Sequence, residues 1–145
     1  DVSKMRVVQN VSCPAGWAGR VLAITKTKEK LPGHTEHVGS AAVATCVGAY
    51  ALQSGVVVDD DLDPWDIPGV LYAISFRFQP NRCQIINRGR STPLDPSLPI
   101  DARDITGRII IDATIPYEWK EKPIPIELDP DMVKRVQSRW KELGF

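Results

Sequence analysis

Gly55 is followed by three valines, Val56-Val57-Val58, that run straight into Asp59-Asp60-Asp61. An apolar β-branched run without polar alternation has to bury both faces, which is the pattern of a strand inside a parallel sheet. Parallel strands cannot be joined by a tight turn, so the flanking segments are expected to supply crossovers and neighbours. Residues 5–11 and 20–25 are rich in β-branched side chains and separated by Pro14, Gly16 and Gly19, which predicts two strands joined by a short turn. From 35 to 51 the period changes. Val38, Ala42, Thr45, Ala49 and Leu52 recur at helical spacing after the start signal Pro32-Gly33. Ile67, Val70, Leu71 and Ile74 give a second helical face, with Asp63 or Asp66 as N-cap and Pro64 or Pro68 in the first turn.

Residues 83–86 and 108–111 are two further apolar runs, expected as buried strands, and Pro93, Pro96 and Pro99 between them prevent regular pairing. Residues 116–130 hold four prolines and predict an extended arm over a surface. A terminal helix is expected over 131–143, capped by Asp129, with Pro130 in its first turn and Gly144 at its end. Met132, Val133, Val136, Trp140 and Leu143 fall on one of its faces. The expected fold is therefore α/β: one layered domain over residues 1–145 with a mostly parallel sheet, a proline-rich loop and a C-terminal amphipathic helix.

Composition narrows the function. The chain is 43% hydrophobic and 25% charged, the balance of an ordinary globular core, which argues against disorder or a fibrous repeat. Eighteen basic residues cancel eighteen acidic ones, removing the excess positive charge that draws proteins to nucleic acid or anionic membranes, so neither partner is expected. The longest mainly apolar stretch, 38–52, is interrupted and falls short of the roughly 20 residues that span a bilayer. Cys13, Cys46 and Cys83 are odd in number and widely spaced, which points to reduced thiols in the cytoplasm rather than a disulfide or zinc framework. The start, Asp1-Val2-Ser3-Lys4, lacks the order of a secretory signal and is expected to be a boundary or processed end of a longer chain.

Several groupings could carry chemistry. Asp59, Asp60, Asp61, Asp63 and Asp66 follow a buried strand, where ligands of open α/β sheets gather; they could hold Mg²⁺, or could simply solvate the strand end and cap the next helix. Arg77, Arg82, Arg88 and Arg90 follow with no acid among them, a pattern that can hold an anion or dock a partner segment, or else form rim ion pairs. His34 and His37 share a helical spacing suited to a metal but lack an evident third ligand. Pro32-Gly33-His34-Thr35 could offer free N–H groups to a phosphate. Trp17, Trp65, Trp119 and Trp140 are scattered, as for core or interface packing rather than base stacking. No dinucleotide, P-loop or hydrolase-elbow motif is present.

A family resemblance extends this reading. Val56-Val57-Val58-Asp59-Asp60-Asp61-Leu62-Asp63-Pro64, then Val70-Leu71-Tyr72-Ala73 and Arg77, resembles the segment of UbiD-like decarboxylases that runs apolar strand, Asp-Asp-Ile-Asp, Val-Leu-Trp-Ala, arginine. Ile111-Asp112-Ala113-Thr114-Ile115-Pro116 with Glu118, and Ser138-Arg139-Trp140-Lys141-Glu142-Leu143-Gly144-Phe145, resemble that family's closing strand, arm and last helix, in particular its ferulic acid decarboxylase branch. The similarity runs in order over residues 50–145; residues 1–49 match in outline.

The resemblance implies a carboxy-lyase of aromatic or α,β-unsaturated acids that uses prenylated FMN, with Mn or Mg and K in the family, held mainly by another domain or subunit. Only the C-terminal domain of that family is matched, and no stretch corresponds to its catalytic Glu-Arg-Glu set, so no catalytic residue or metal ligand is assigned here. The resemblance assigns Tyr50, Thr92 and Leu94 to the substrate-pocket wall, with Thr92 in place of a bulky aromatic and Phe76 in place of a family Thr. It further implies a flavin-binding domain or large subunit as partner and a homo-oligomer. The alternatives are a non-catalytic oligomerisation module, or a metal- or anion-binding domain using Asp59–Asp66.

Overall fold

The computed structural model describes residues 8–13, 21–28, 31–44, 52–121 and 128–144. Five strands form one sheet: β1 (Val8–Ser12), β2 (Leu22–Thr27), β3 (Ser54–Asp59), β4 (Cys83–Arg90) and β5 (Ile105–Asp112), in the spatial order β1-β2-β3-β5-β4. The central strands β2, β3 and β5 are parallel, and the two outer strands each add antiparallel pairing. Among the described residues three α-helices accompany them, α1 (His34–Ala44), α2 (Ile67–Phe76) and α3 (Pro130–Ser138). No helix among the described residues is long and apolar enough to cross a membrane.

The valine run behaves as its composition requires. Val56 and Val58 pack with Ile24, Ala113 and the α2 residues Val70 and Ala73, while Val57 points the other way onto Val38 of α1. Alternation with a period of two thus feeds two separate cores, one per sheet face. On the α1 side Ala23, Val43, Leu52 and Ile110 complete the packing. Gly39 is required there: a Cβ at that position would stand 2.2 Å from Ile110 Cγ2, so the close approach of α1 to β5 depends on having none. Gly33, at φ +81°, makes the turn that starts α1.

Several expectations change. β4 is longer than expected and is no buried strand; it is an edge strand whose side chains are half-buried or exposed, with a bulge between Ile86 and Gly89. β2 runs two residues further than its pattern suggested, to Thr27, because those positions still pair with Val58 and Asp59. In α2, Leu71 is 55% exposed and Ala73 is buried in its place, so the inward stripe is Ile67, Val70, Ala73 and Ile74. Asp66 precedes α2 without a side-chain capping bond, and Asp63 instead accepts from Trp65 N at 3.0 Å. Asp129 does cap α3, accepting from Asp131 N at 3.0 Å. That helix stops at Ser138 rather than Leu143, because Arg139 N and Trp140 N bond back only three residues and tighten the chain into turns. Trp65, Trp119 and Trp140 are not core residues, being 58%, 39% and 49% exposed. The β1–β2 turn, the expected helix beyond Ala44, residues 122–127 of the arm, Trp17 and Cys46 lie outside the described residues.

Candidate functional site

The topology separates the candidate residues onto opposite ends of the sheet. β2, β3 and β5 end together at Thr27, Asp59 and Asp112, and the acidic cluster belongs to that carboxyl end. β4 runs back antiparallel, pairing Arg90 with Ile105 at the start of β5, so the proline-rich loop 91–104 lies at the amino end. The two ends are separated by the length of β3, roughly 17 Å at 3.3 Å per residue.

At the carboxyl end, the acidic and basic blocks turn out to be partners. Arg77, which caps α2, is 3% exposed and forks onto Asp61 at 2.9 and 2.6 Å while reaching Asp59 at 3.3 Å. Its guanidinium is held above the ordinary arginine range, first by the hydrogen bond to Asp61 and against the opposing effect of burial. Asp59 also accepts from Ile115 N at 2.8 Å, so a single buried carboxylate joins β3 to the chain leaving β5. A second network lies beside it. Asp112, 1% exposed, accepts from Arg82, Thr35 Oγ1 and both the N–H and the hydroxyl of Thr114. Arg82 further donates to Thr114 O at 2.8 Å.

A cleft of about 530 Å³ opens over this end, bounded by Asp59, Asp60, Asp61, Lys28, Tyr117 and Trp119. Among the described residues no three His, Cys, Asp or Glu side chains are grouped to hold an ion, the Asp59–Asp66 carboxylates included. Asp59 and Asp61 face Arg77, and Asp63 bonds backbone, so the carboxylates balance charge and end strands. His34 and His37 join no such group either. Pro32-Gly33 serves the start of α1, with His34 N donating to Leu31 O and His37 N to Gly33 O. Cys13 and Cys83 are free thiols, and burial pushes the Cys13 thiol up.

The amino end is built differently. Ser91 N donates to Asp104 O at 2.9 Å, closing the loop at its neck. Thr92-Pro93-Leu94-Asp95 forms a turn in which Asp95 N bonds Thr92 O at 3.1 Å and Leu94 N meets Thr92 Oγ1 at 3.3 Å. Arg103 crosses underneath, donating to Pro93 O at 2.7 Å and Leu98 O at 3.1 Å. The result is an ordered loop that leaves Leu94 65% exposed and Thr92 half-buried. Tyr50, the third expected wall residue, lies outside the described residues; Leu52 and Gln53, which follow it closely, stand against the same loop with Thr92 and Asp95. An open cleft of about 500 Å³ next to the loop is lined by Arg88, Arg90, Ser91, Asp104 and Ile105. Arg108, buried under Gly89, donates to Val43 O and Arg90 O, and burial draws its pKa down. The loop and the strand ends beside it thus line an open surface that carries Arg88, Arg90 and Asp104 at its margin. Sequence reasoning overlooked Gln53, Asp95, Ser97 and Arg103, although Asp95-Pro96-Ser97 carries the side-chain-to-backbone signature of a local turn.

The comparisons with known proteins agree with one another. Residues 1–113 match the model for the UbiD_C family, the 3-octaprenyl-4-hydroxybenzoate carboxy-lyase C-terminal domain. A phenolic acid decarboxylase of Bacillus subtilis is 34% identical over 107 residues, covering 73% of this chain and 22% of its own length. The UbiD-class enzyme HmfF of Pelotomaculum thermopropionicum, solved with FMN, superposes with a TM-score of 0.74 at 26% identity, covering 88% of this chain and 28% of that one. Vanillic acid decarboxylase of Sedimentibacter hydroxybenzoicus in its open form gives 0.72 at 26% identity over 97% of this chain and 30% of that one. This chain spans between a fifth and a third of the length of these relatives. The family model matches well over half of the chain, and the chain therefore belongs to the UbiD C-terminal domain family.

Proposed function

We propose that the chain is the C-terminal domain or small subunit of a UbiD-like carboxy-lyase acting on an aromatic or α,β-unsaturated carboxylic acid. In this reading Tyr50, Thr92 and Leu94 form part of the substrate-pocket wall, and the catalytic Glu-Arg-Glu set lies in other polypeptide. The observation that carries it is the loop 91–104. A domain of this family holds Leu94 in a hydrogen-bonded turn with 65% of its surface uncovered, which is the arrangement of a wall residue whose neighbours belong to another part of the enzyme. The phenolic and vanillic acid decarboxylases among the relatives support an aromatic acid as substrate. Thr92, shorter than the aromatic residue of the ferulic acid branch, leaves room for a bulkier or more polar ring.

A prenylated flavin bound elsewhere in the enzyme supplies the electron sink for loss of the carboxyl group. This chain contributes shape and exclusion of water. The C-terminal segment around helix α3 contributes subunit contact: Leu128, Met132, Val136 and Leu143 are 71%, 49%, 40% and 48% exposed there. The free Cys13 and Cys83 thiols support a reducing, cytoplasmic setting.

The reading is tested in the full enzyme that contains this chain. Leu94→Ala and Thr92→Phe are expected to change the ratio of kcat/KM between a small and a ring-substituted phenolic acid while flavin content stays constant. An unchanged ratio in both variants overturns the wall assignment. The 145-residue chain alone is expected to release no CO₂ from such acids, and turnover by it unaided would overturn the division of labour.

A further inference from the structure

Next in the chain after the exposed Leu94 comes a buried carboxylate that the wall reading does not use. Asp95 is 3% exposed, and both of its oxygens are occupied by donors from two parts of the chain. Oδ1 accepts from Ser97 N at 2.9 Å and Ser97 Oγ at 2.7 Å; Oδ2 accepts from Gln53 Nε2 and from Ser91 Oγ at 3.4 Å. Gln53 Nε2 also reaches Ser97 Oγ at 2.9 Å. Gln53 is a firm anchor, because its N–H donates to Val21 O at 3.0 Å and its carbonyl accepts from Ile109 N at 2.9 Å, which ties it to both neighbouring strands. The loop's internal bonds, from Ser91, Thr92 and Arg103, hold the turn together but do not fix it to the sheet at β3. The Asp95–Gln53 contact does.

We propose that Asp95 is a positioning residue for the substrate-pocket wall: through Gln53, which is bonded on both sides to the sheet, its carboxylate sets where the Thr92–Leu94 turn stands against the start of β3, and with it the bulk of ring the pocket accepts. The proposal rests on the reading of Tyr50, Thr92 and Leu94 as wall residues. Asp95 itself touches no substrate in this scheme. Misplacing a wall by about 1 Å changes turnover by up to roughly a hundredfold, so a loosened clamp should show in discrimination before it shows in stability.

The experiment uses the full enzyme and measures kcat/KM for two phenolic acids that differ in one ring substituent, alongside the melting temperature and flavin content. Asp95→Asn keeps the shape and the bond from Ser97 N but faces Gln53 Nε2 with a second donor; Gln53→Met breaks the same contact from the half-exposed side and serves if Asp95→Asn does not fold. Either is expected to change the selectivity ratio about tenfold with flavin content retained. The double variant Asp95→Asn/Gln53→Glu exchanges donor and acceptor between the two ends and is expected to return the ratio to within about twofold of the parent. A folded, flavin-loaded single variant with an unchanged ratio overturns the clamp, and so does a double variant that recovers nothing. Leu94→Ala, run in parallel, separates the two failures: if it changes the ratio while the Asp95 and Gln53 variants do not, the wall stands and only the clamp falls. If Leu94→Ala and Thr92→Phe both leave the ratio unchanged, the wall falls and the clamp with it.

Discussion

The two ends of the sheet solve opposite problems with the same residue type. At the carboxyl end, Asp59, Asp61 and Asp112 are matched against Arg77 and Arg82 in buried, charge-assisted networks that bind β3, β5, α2 and the start of α1 to one another. At the amino end, Asp95 takes only neutral donors, from Gln53, Ser91 and Ser97, and the loop it secures presents Leu94 outward. The first arrangement uses the charges that look most like a reactive site to close the fold. The second uses inconspicuous polar residues to support an apolar surface that the chain itself leaves open. A carboxylate's role here follows from its partners and from what lies above it, not from how many acids stand near it in sequence.

If that contrast is right, removing charge from the carboxyl end should have the largest effect on stability. Arg77→Met removes the buried guanidinium that faces Asp59 and Asp61 and is expected to lower the unfolding free energy by about 3–5 kcal/mol, read from the denaturant midpoint. A loss below about 1 kcal/mol would break the comparison. Arg82→Gln removes the charged donor to Asp112 and is expected to cost about 1.5–3 kcal/mol in the same measurement.

The next test concerns acid. Burial raises the Asp95 carboxyl, but the bonds donated by Ser97, Ser91 and Gln53 outweigh it and hold the group below the usual carboxylate range. A depressed native pKa means that the stabilisation is complete above the unfolded value, near pH 3.9, and disappears as pH falls through the native one. The stability difference between the parent and Asp95→Asn is therefore expected to be flat from neutral pH down to about 5 and to shrink in stronger acid, by roughly 1 kcal/mol. A difference that grows on acidification would contradict the hydrogen-bond assignment. The smallest effect is expected from Leu94→Ala, which should stay within about 0.5 kcal/mol of the parent in thermal unfolding, because the side chain is already mostly in solvent.

How much of this was legible beforehand varies by element. Val56-Val57-Val58 announced a strand buried on both faces because no other structure accommodates three adjacent β-branched apolar side chains so cheaply, and Asp129-Pro130 marked a helix start because the cap and the fixed proline φ act locally. β4 misled because Ile85 and Ile86 look the same whether a strand lies inside a sheet or at its edge; β4 is the edge strand, and Ile85 is 68% exposed. Leu71 misled because helical spacing defines a stripe only to within about one residue, and α2 packs onto the sheet through Val70, Ala73 and Ile74 instead. The carboxyl-end clusters were visible as composition, but their pairing was not, since Arg77 lies 16 and 18 residues from its partners and Arg82 lies 30 from Asp112.

Local stereochemistry and hydrophobic period sufficed to place the strands, the helices and the proline loop along the chain, because those preferences act over a few residues and survive in any context. Which acids are spent on arginines, which end of the sheet is closed by charge and which is left open, and why Asp95 is buried next to the exposed Leu94, were settled by packing. Those outcomes depend on contacts between residues 16 to 77 positions apart, whose meeting is dictated by strand order rather than by any neighbouring residue.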